Sequence, residues 1–154
     1  MRIQILCFVL ASLSAAASAA PDPSMCDVLP AAPINANVVY EADIQTIFTG
    51  VMGAGAQCTA CHSPNSSGNL SLAPAASHGN LVNVNSAQDP SIKRVLPFDA
   101  AGSLLFRKVN CAIPGVGNRM PRGRPALSLD QQRLIRDWIN QGAIKNAIFA
   151  ANFE

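Results

Sequence analysis

Cys58-Thr59-Ala60-Cys61-His62 concentrates the chain's most reactive side chains: two thiols two residues apart, with an imidazole directly after the second. Thiols at this spacing can each add across one vinyl group of a haem, which carries the adjacent imidazole beneath the iron; the pattern thus specifies covalent attachment and one axial ligand together. Cys-x-x-Cys also serves zinc sites and thiol redox centres. Zinc would require a second ligand pair, and the further candidates, His62, His78, Cys111 and Cys26, do not stand at finger-like spacing. A thioredoxin-like pair would follow a strand and open a helix, whereas a helical pattern precedes this motif and a polar loop follows it.

A haem held this way needs a sixth ligand from its other face, delivered by a long loop. Met120 suits that role. It lies in Pro114-Gly115-Val116-Gly117-Asn118-Arg119-Met120-Pro121, a glycine-rich, non-helical approach closed by proline, and a methionine among arginines is poorly explained as core packing. Met52, six residues before Cys58, should share the His62 side, and Met25 lies far upstream. His78, in Ser77-His78-Gly79, is the rival that would make the ligation bis-histidine.

The elements that must position these groups read as follows. Residues 1–20 combine Arg2, an apolar run over 3–13 and the small-residue exit Ala17-Ser18-Ala19-Ala20, the pattern of a cleaved secretory signal that takes Cys7 with it. Residues 21–39 carry Pro21, Pro23, Pro30 and Pro33 without a period and form an extended lead-in. Over 41–53, Ile44, Ile47, Phe48 and Val51 recur on one helical face, and Gly50, Gly53 and Gly55 then loosen the chain before the motif. Leu70-Ser71-Leu72 and Arg94-Val95-Leu96 read as short paired strands, with Leu81, Val82 and Val84 in a covering turn between them. A second helix is expected over 100–109, capped by Asp99. The final helix carries the strongest signals. Ser128-Leu129-Asp130-Gln131 is a capping box, Leu134, Ile135, Trp138 and Ile139 form a stripe, Arg133, Arg136 and Asp137 face water, and Gly142 is the left-handed stop. Residues 146–154 form a tail whose Ile148, Phe149 and Phe153 suit packing on the body or a partner contact.

One of the eleven Lys and Arg residues, Arg2, leaves with the signal, so ten face nine Asp and Glu; this balance argues for neither nucleic acid nor a membrane surface as partner. The remaining length, about 135 residues, makes one domain, and no later apolar run is long enough to cross a bilayer. No Gly-rich phosphate loop and no carboxylate pair suited to acid–base catalysis occurs. Export to the periplasm or beyond is an oxidising destination, where haem is also joined to thiols. Once Cys58 and Cys61 are assigned, the even remainder of Cys26 and Cys111 suggests a disulfide.

Taken together, Cys58-x-x-Cys61-His62, Arg119-Met120-Pro121 and Trp138-Ile139-x-x-Gly142-Ala143 resemble the small single-haem bacterial c-type cytochromes of class I type, over residues 40–145. The resemblance implies an all-α fold in which N- and C-terminal helices cross around one covalently bound haem c, with long loops. It implies thioethers at Cys58 and Cys61, His62 as proximal and Met120 as distal iron ligand, and one-electron transfer to redox partner proteins. The cysteine-bearing lead-in and the apolar tail depart from the simplest members. Two other functions stay open: an electron-transfer subunit of a larger oxidoreductase, and a ligand-reactive haem enzyme with a displaceable sixth ligand. Arg119, Arg122 and Arg124, with Arg107-Lys108 nearby, read either as a positive rim for an acidic partner or a haem propionate, or as a solvated loop.

Overall fold

The computed structural model describes residues 26–50, 57–63, 67–111 and 117–145. The signal at 1–20, Met25, Val51, Met52, Gly53, Gly55 and the tail at 146–154 lie outside them.

The first helical segment is a π-turn, Tyr40–Ile44, that runs into α1, Gln45–Thr49. Tyr40, Ile44, Ile47 and Phe48 are buried on its inner face. The segment stops earlier than the apolar period suggests, because Gly50 turns left-handed (φ 80°) and its N–H bonds back to the Ile47 carbonyl. α2 is Ser77–Leu81, α3 Leu104–Asn110 and α4 Leu129–Asn140, and both the π-turn and α3 pack on α4. Among the described residues the structure is helical, without strands, consistent with an all-α architecture. No helix among them is long and apolar enough to cross a membrane.

The expected strand pair does not form. Val95 bridges to Val82 and Lys93 to Asn85, so 94–96 meets the segment after α2 and not 70–72. Leu72 instead joins the core, and its N–H donates to the His62 carbonyl at 2.8 Å. Leu81, Val82 and Val84, expected in a turn, span the end of α2 and the bridge to Val95.

The second helix begins four residues later than expected. Asp99 spends its carboxylate on the Gly102 N–H (2.8 Å) in a separate turn, and Ser103 Oγ donates to the Asp99 carbonyl. The first N–H groups of α3, from Leu104 and Leu105, donate to the carbonyls of Lys93 and Arg94 at 3.0 and 2.9 Å. Tertiary backbone contacts thus satisfy donors that a side-chain cap would otherwise take.

α4 forms as its local signals dictate. Ser128 Oγ accepts from Gln131 N–H and Gln131 Oε1 from Ser128 N–H, a reciprocal box whose loss would cost about 1 kcal/mol. Ile135, Trp138 and Ile139 are buried. Gly142 (φ 99°) ends the helix while Ala143 N–H reaches the Trp138 carbonyl, and a side chain at 142 would meet the Phe98 ring at 2.8 Å.

The opposite face of α4 departs from expectation. Asp137 does not face water; it is 4% exposed, accepts from Ile34 N–H at 2.7 Å and pairs with Arg136. Arg133 and Arg136 donate to the Ala32 carbonyl and Arg136 also to that of Pro30, while Gln141 takes Val38 N–H and gives to the Asn35 carbonyl. The lead-in is therefore a strap over α4. Prolines and extended backbone leave its carbonyls unpaired within the segment, and the polar face of α4 supplies their donors.

A buried chain of hydrogen bonds ties the first segment to α2: Tyr40 OH donates to Ser77 Oγ (2.6 Å), Ser77 Oγ to Gln45 Oε1, and Gln45 Nε2 to the Leu72 carbonyl (3.1 Å). Burial pushes the Tyr40 phenol up to about 12. Between its ordinary value of 10 and 12 the native chain keeps a proton that the unfolded chain has released, so this contribution to stability is intact below pH 10 and lost as pH rises through 12. Tyr40 is the only tyrosine. The phenolate band should accordingly appear in one step well above pH 10, and a midpoint at 10 in the native protein would show the ring to be hydrated.

Candidate functional site

The motif turn is built from its own backbone. Cys58–Ala60 is a single 3₁₀ turn, and the Cys58 carbonyl accepts from the N–H groups of both Cys61 (3.2 Å) and His62 (2.8 Å). This brings the two thiols and the imidazole around one bend. Cys58 is half-buried against the core and Cys61 exposed, and neither is in a disulfide. Desolvation pushes the Cys58 thiol up to about 11. A thiol redox centre works with a depressed thiolate pKa, the opposite direction.

His62 is oriented by the loop that follows. Its Nδ1 lies 2.9 Å from the Ser67 carbonyl. A carbonyl only accepts, so Nδ1 carries the proton and Nε2 keeps its lone pair, the tautomer a metal-ligating histidine requires. The loop is in turn held by Arg94, 9% exposed, which donates to the carbonyls of Gly68 (3.3 Å), Asn69 (2.8 Å) and, from Nη1, Asn80 (2.8 Å). Arg94 drew attention in the sequence only as part of a short strand. Its partners lie 14 to 26 residues away, and no local pattern announces them.

Cys58, Cys61, His62 and Met120 all line one cleft of about 450 Å³. Ile47, Phe48, Leu81, Val109 and Ile135 contribute apolar wall from α1, α2, α3 and α4, and Leu72 from the loop before α2. Met120 is half-buried and packs against the hydrophobic core, so it is not the wholly polar-loop residue its sequence neighbours suggest. Its N–H donates to the Lys108 carbonyl at 2.7 Å, which fastens its loop to the end of α3.

His78 is elsewhere. Its Nε2 donates to the Ala143 carbonyl at 2.8 Å, and its ring packs edge-on against Tyr40 with centroids 5.0 Å apart. It is not among the residues that line the cleft with Cys58, Cys61, His62 and Met120. The zinc alternative also lacks its ligands: among the described residues no three of His, Cys, Asp and Glu gather as a metal-holding group.

The arginines divide. Arg122 and Arg124 line the cleft, as do Lys108 and Arg94, and no acidic residue does among those described. Arg119, expected with them, turns away and pairs with Asp27. Burial lowers the pKa of both Lys108 and Arg94. Cys26 and Cys111 are joined by a disulfide, with Cα atoms 4.1 Å apart across 85 residues of sequence.

Comparison of the chain with protein-family models, with curated proteins and with solved structures finds no match. The site's chemistry therefore rests on its own residues. A haem brings four of its own ring nitrogens to iron and asks the protein for two thiols, two axial donors and a dry slot. Cys58 and Cys61 are the thiols of one turn, His62 has its Nδ1 bonded to the Ser67 carbonyl so that the neutral ring offers Nε2, Met120 offers a thioether in the same cleft, and the wall between them is aliphatic and aromatic. The donor set fits the group.

Proposed function

We propose that the chain is an exported mono-haem c-type cytochrome that carries single electrons by outer-sphere transfer. The observation that carries the reading is the sharing of one apolar cleft by Cys58, Cys61, His62 and Met120, with His62 held by Ser67 in its ligating tautomer. When bound, the haem supplies an iron that alternates between ferrous and ferric states, and His/Met ligation favours a relatively high potential.

The protein's own part is binding, orientation and exclusion of water. Cys58 and Cys61 hold the group through thioethers, and His62 presents Nε2 because Ser67 occupies Nδ1. Met120 would hold the iron through its thioether. The apolar wall keeps water from the centre, so little solvent must reorganise when charge moves. Lys108, Arg122, Arg124 and the buried Arg94 provide the cationic lining that two haem carboxylates require. Donor and acceptor are redox proteins.

Covalent attachment is tested on the protein exported from a host that matures c-type cytochromes. The denatured protein should keep its haem colour through acid-acetone extraction, and its mass should exceed that of the processed chain by one haem. A Cys58→Ala, Cys61→Ala double variant should lose both. A colourless wild-type protein, or one whose mass shows no added haem, refutes the function.

A further inference from the structure

The last carbonyls of a helix have no partner within it. In α3 the first of the last four is taken by the helix's own C-cap residue, and the other three by two outside segments, the Met120 loop and the strap. Arg107 O accepts from Cys111 N–H (3.0 Å), Lys108 O from Met120 N–H (2.7 Å), Val109 O from Arg119 Nε (2.9 Å) and Asn110 O from Asp27 N–H (3.2 Å). The loop that carries Met120 and the strap that carries Asp27 thus hang from the same helix end. Asp27 joins them. One carboxylate oxygen accepts from Arg119 Nη2 and from Gln132 Nε2 of α4 (2.6 Å), while Asn110 Nδ2 donates both to the Asp27 carbonyl (2.9 Å) and to Gln132 Oε1 (3.1 Å). Arg119 and Asp27 are 13% and 24% exposed, so this pair is shielded from solvent more than a surface ion pair.

From this geometry we propose that Asp27 is a positioning residue for the sixth iron ligand: by pinning Arg119 against the end of α3, it fixes the backbone from which Met120 enters the cleft. The inference rests on Met120 being that ligand. Arg119 is the immediate neighbour of Met120 and makes two anchoring contacts, one to Val109 and one to Asp27. With Asp27 removed, Arg119 keeps the bond to a helix carbonyl but loses its charged partner, and the loop between 117 and 121 keeps the Met120 N–H bond to the Lys108 carbonyl and the Lys108 Nζ bond to the Asn118 carbonyl (3.4 Å). A thioether binds ferric iron weakly, so its occupancy depends on the loop being held in place and not on the bond alone. The disulfide from Cys26 to Cys111 brings the strap to this point, next to Asp27.

The test compares holoprotein variants by the sulfur-to-iron charge-transfer band of the ferric state, by carbon monoxide binding to the ferrous state, and by Trp138 fluorescence as a measure of global unfolding. In Asp27→Ala the band should disappear at a lower denaturant concentration than global unfolding, and carbon monoxide binding should accelerate severalfold. Amide exchange at Met120 should quicken in parallel. Asp27→Glu should restore all three, and Asp27→Asn, which keeps the shape and an acceptor but not the charge, should give a smaller shift in the same direction and serves if the alanine variant does not fold. Arg133→Ala, which removes one of the two arginine bonds that hold the same strap at Ala32, should destabilise without separating the band from unfolding. Loss of the band together with unfolding in Asp27→Ala, or the same separation in Arg133→Ala, overturns the positioning role while leaving Met120 as ligand. A wild-type protein without a Met120-dependent band overturns the ligand assignment, and the positioning role with it.

Discussion

Met120→Ala should open the sixth coordination position and change the protein from a carrier into a ligand-binding haem protein. On the function proposed above, a thioether from Met120 would fill that position in both oxidation states, so ferric protein should show the weak far-red sulfur-to-iron band and ferrous protein should take up carbon monoxide poorly at neutral pH. The variant should lose the band, bind carbon monoxide readily and show a lower reduction potential, because loss of the thioether removes a ligand that favours the ferrous state. The side chain is half-buried against the core, so truncation also costs packing, about 2 to 3 kcal/mol at the low end of large-to-small substitutions. Global unfolding must therefore be measured alongside, and a native-like melting curve with an altered spectrum is the expected combination. A variant with an unchanged spectrum would mean that Met120 is not the ligand. A wild-type ferrous protein that binds carbon monoxide readily would favour a ligand-reactive haem enzyme.

The second large effect is on stability. Converting both Cys26 and Cys111 to serine should lower the free energy of unfolding by about 4 kcal/mol on the chain-entropy account, since the bridge closes a long loop in the unfolded chain. Against a typical net stability of about 5 to 15 kcal/mol this is a large fraction. The loss should appear as a shift in denaturant midpoint. The strap has further anchors along α4, at Asp137, Arg136 and Gln141, so the variant should still fold with the strap attached from Pro30 onward. A midpoint unchanged within error would mean that those hydrogen bonds alone restrict the chain end. Alkylatable thiols at both positions in protein isolated without reductant would mean that the bridge is absent.

The sequence by itself determined those features whose causes lie within a few residues of one another. The Ser128 and Gln131 box, the buried stripe of Ile135, Trp138 and Ile139, and the left-handed Gly142 are set by contacts one turn apart, and α4 forms between them. The same holds for the bend that gathers Cys58, Cys61 and His62. Tertiary structure decided the rest. Asp137 looks solvent-facing by its place in the helical period, yet a proline-rich strap 103 residues away covers it, because backbone N–H groups with no local partner needed an acceptor. Asp99 has the composition of a helix cap, but the first donors of α3 meet the carbonyls of Lys93 and Arg94 and leave it nothing to cap there. His78 and Met120 were both eligible as a sixth ligand by type, and only the packing of α2 on Tyr40 and Trp138 took the histidine away from the cleft while the end of α3 brought the methionine to it. Asp27 and Arg94 carry no local signal at all, since hydrogen-bonded partners 14 to 105 residues distant give a side chain its role without leaving a period, a spacing or a composition in the chain.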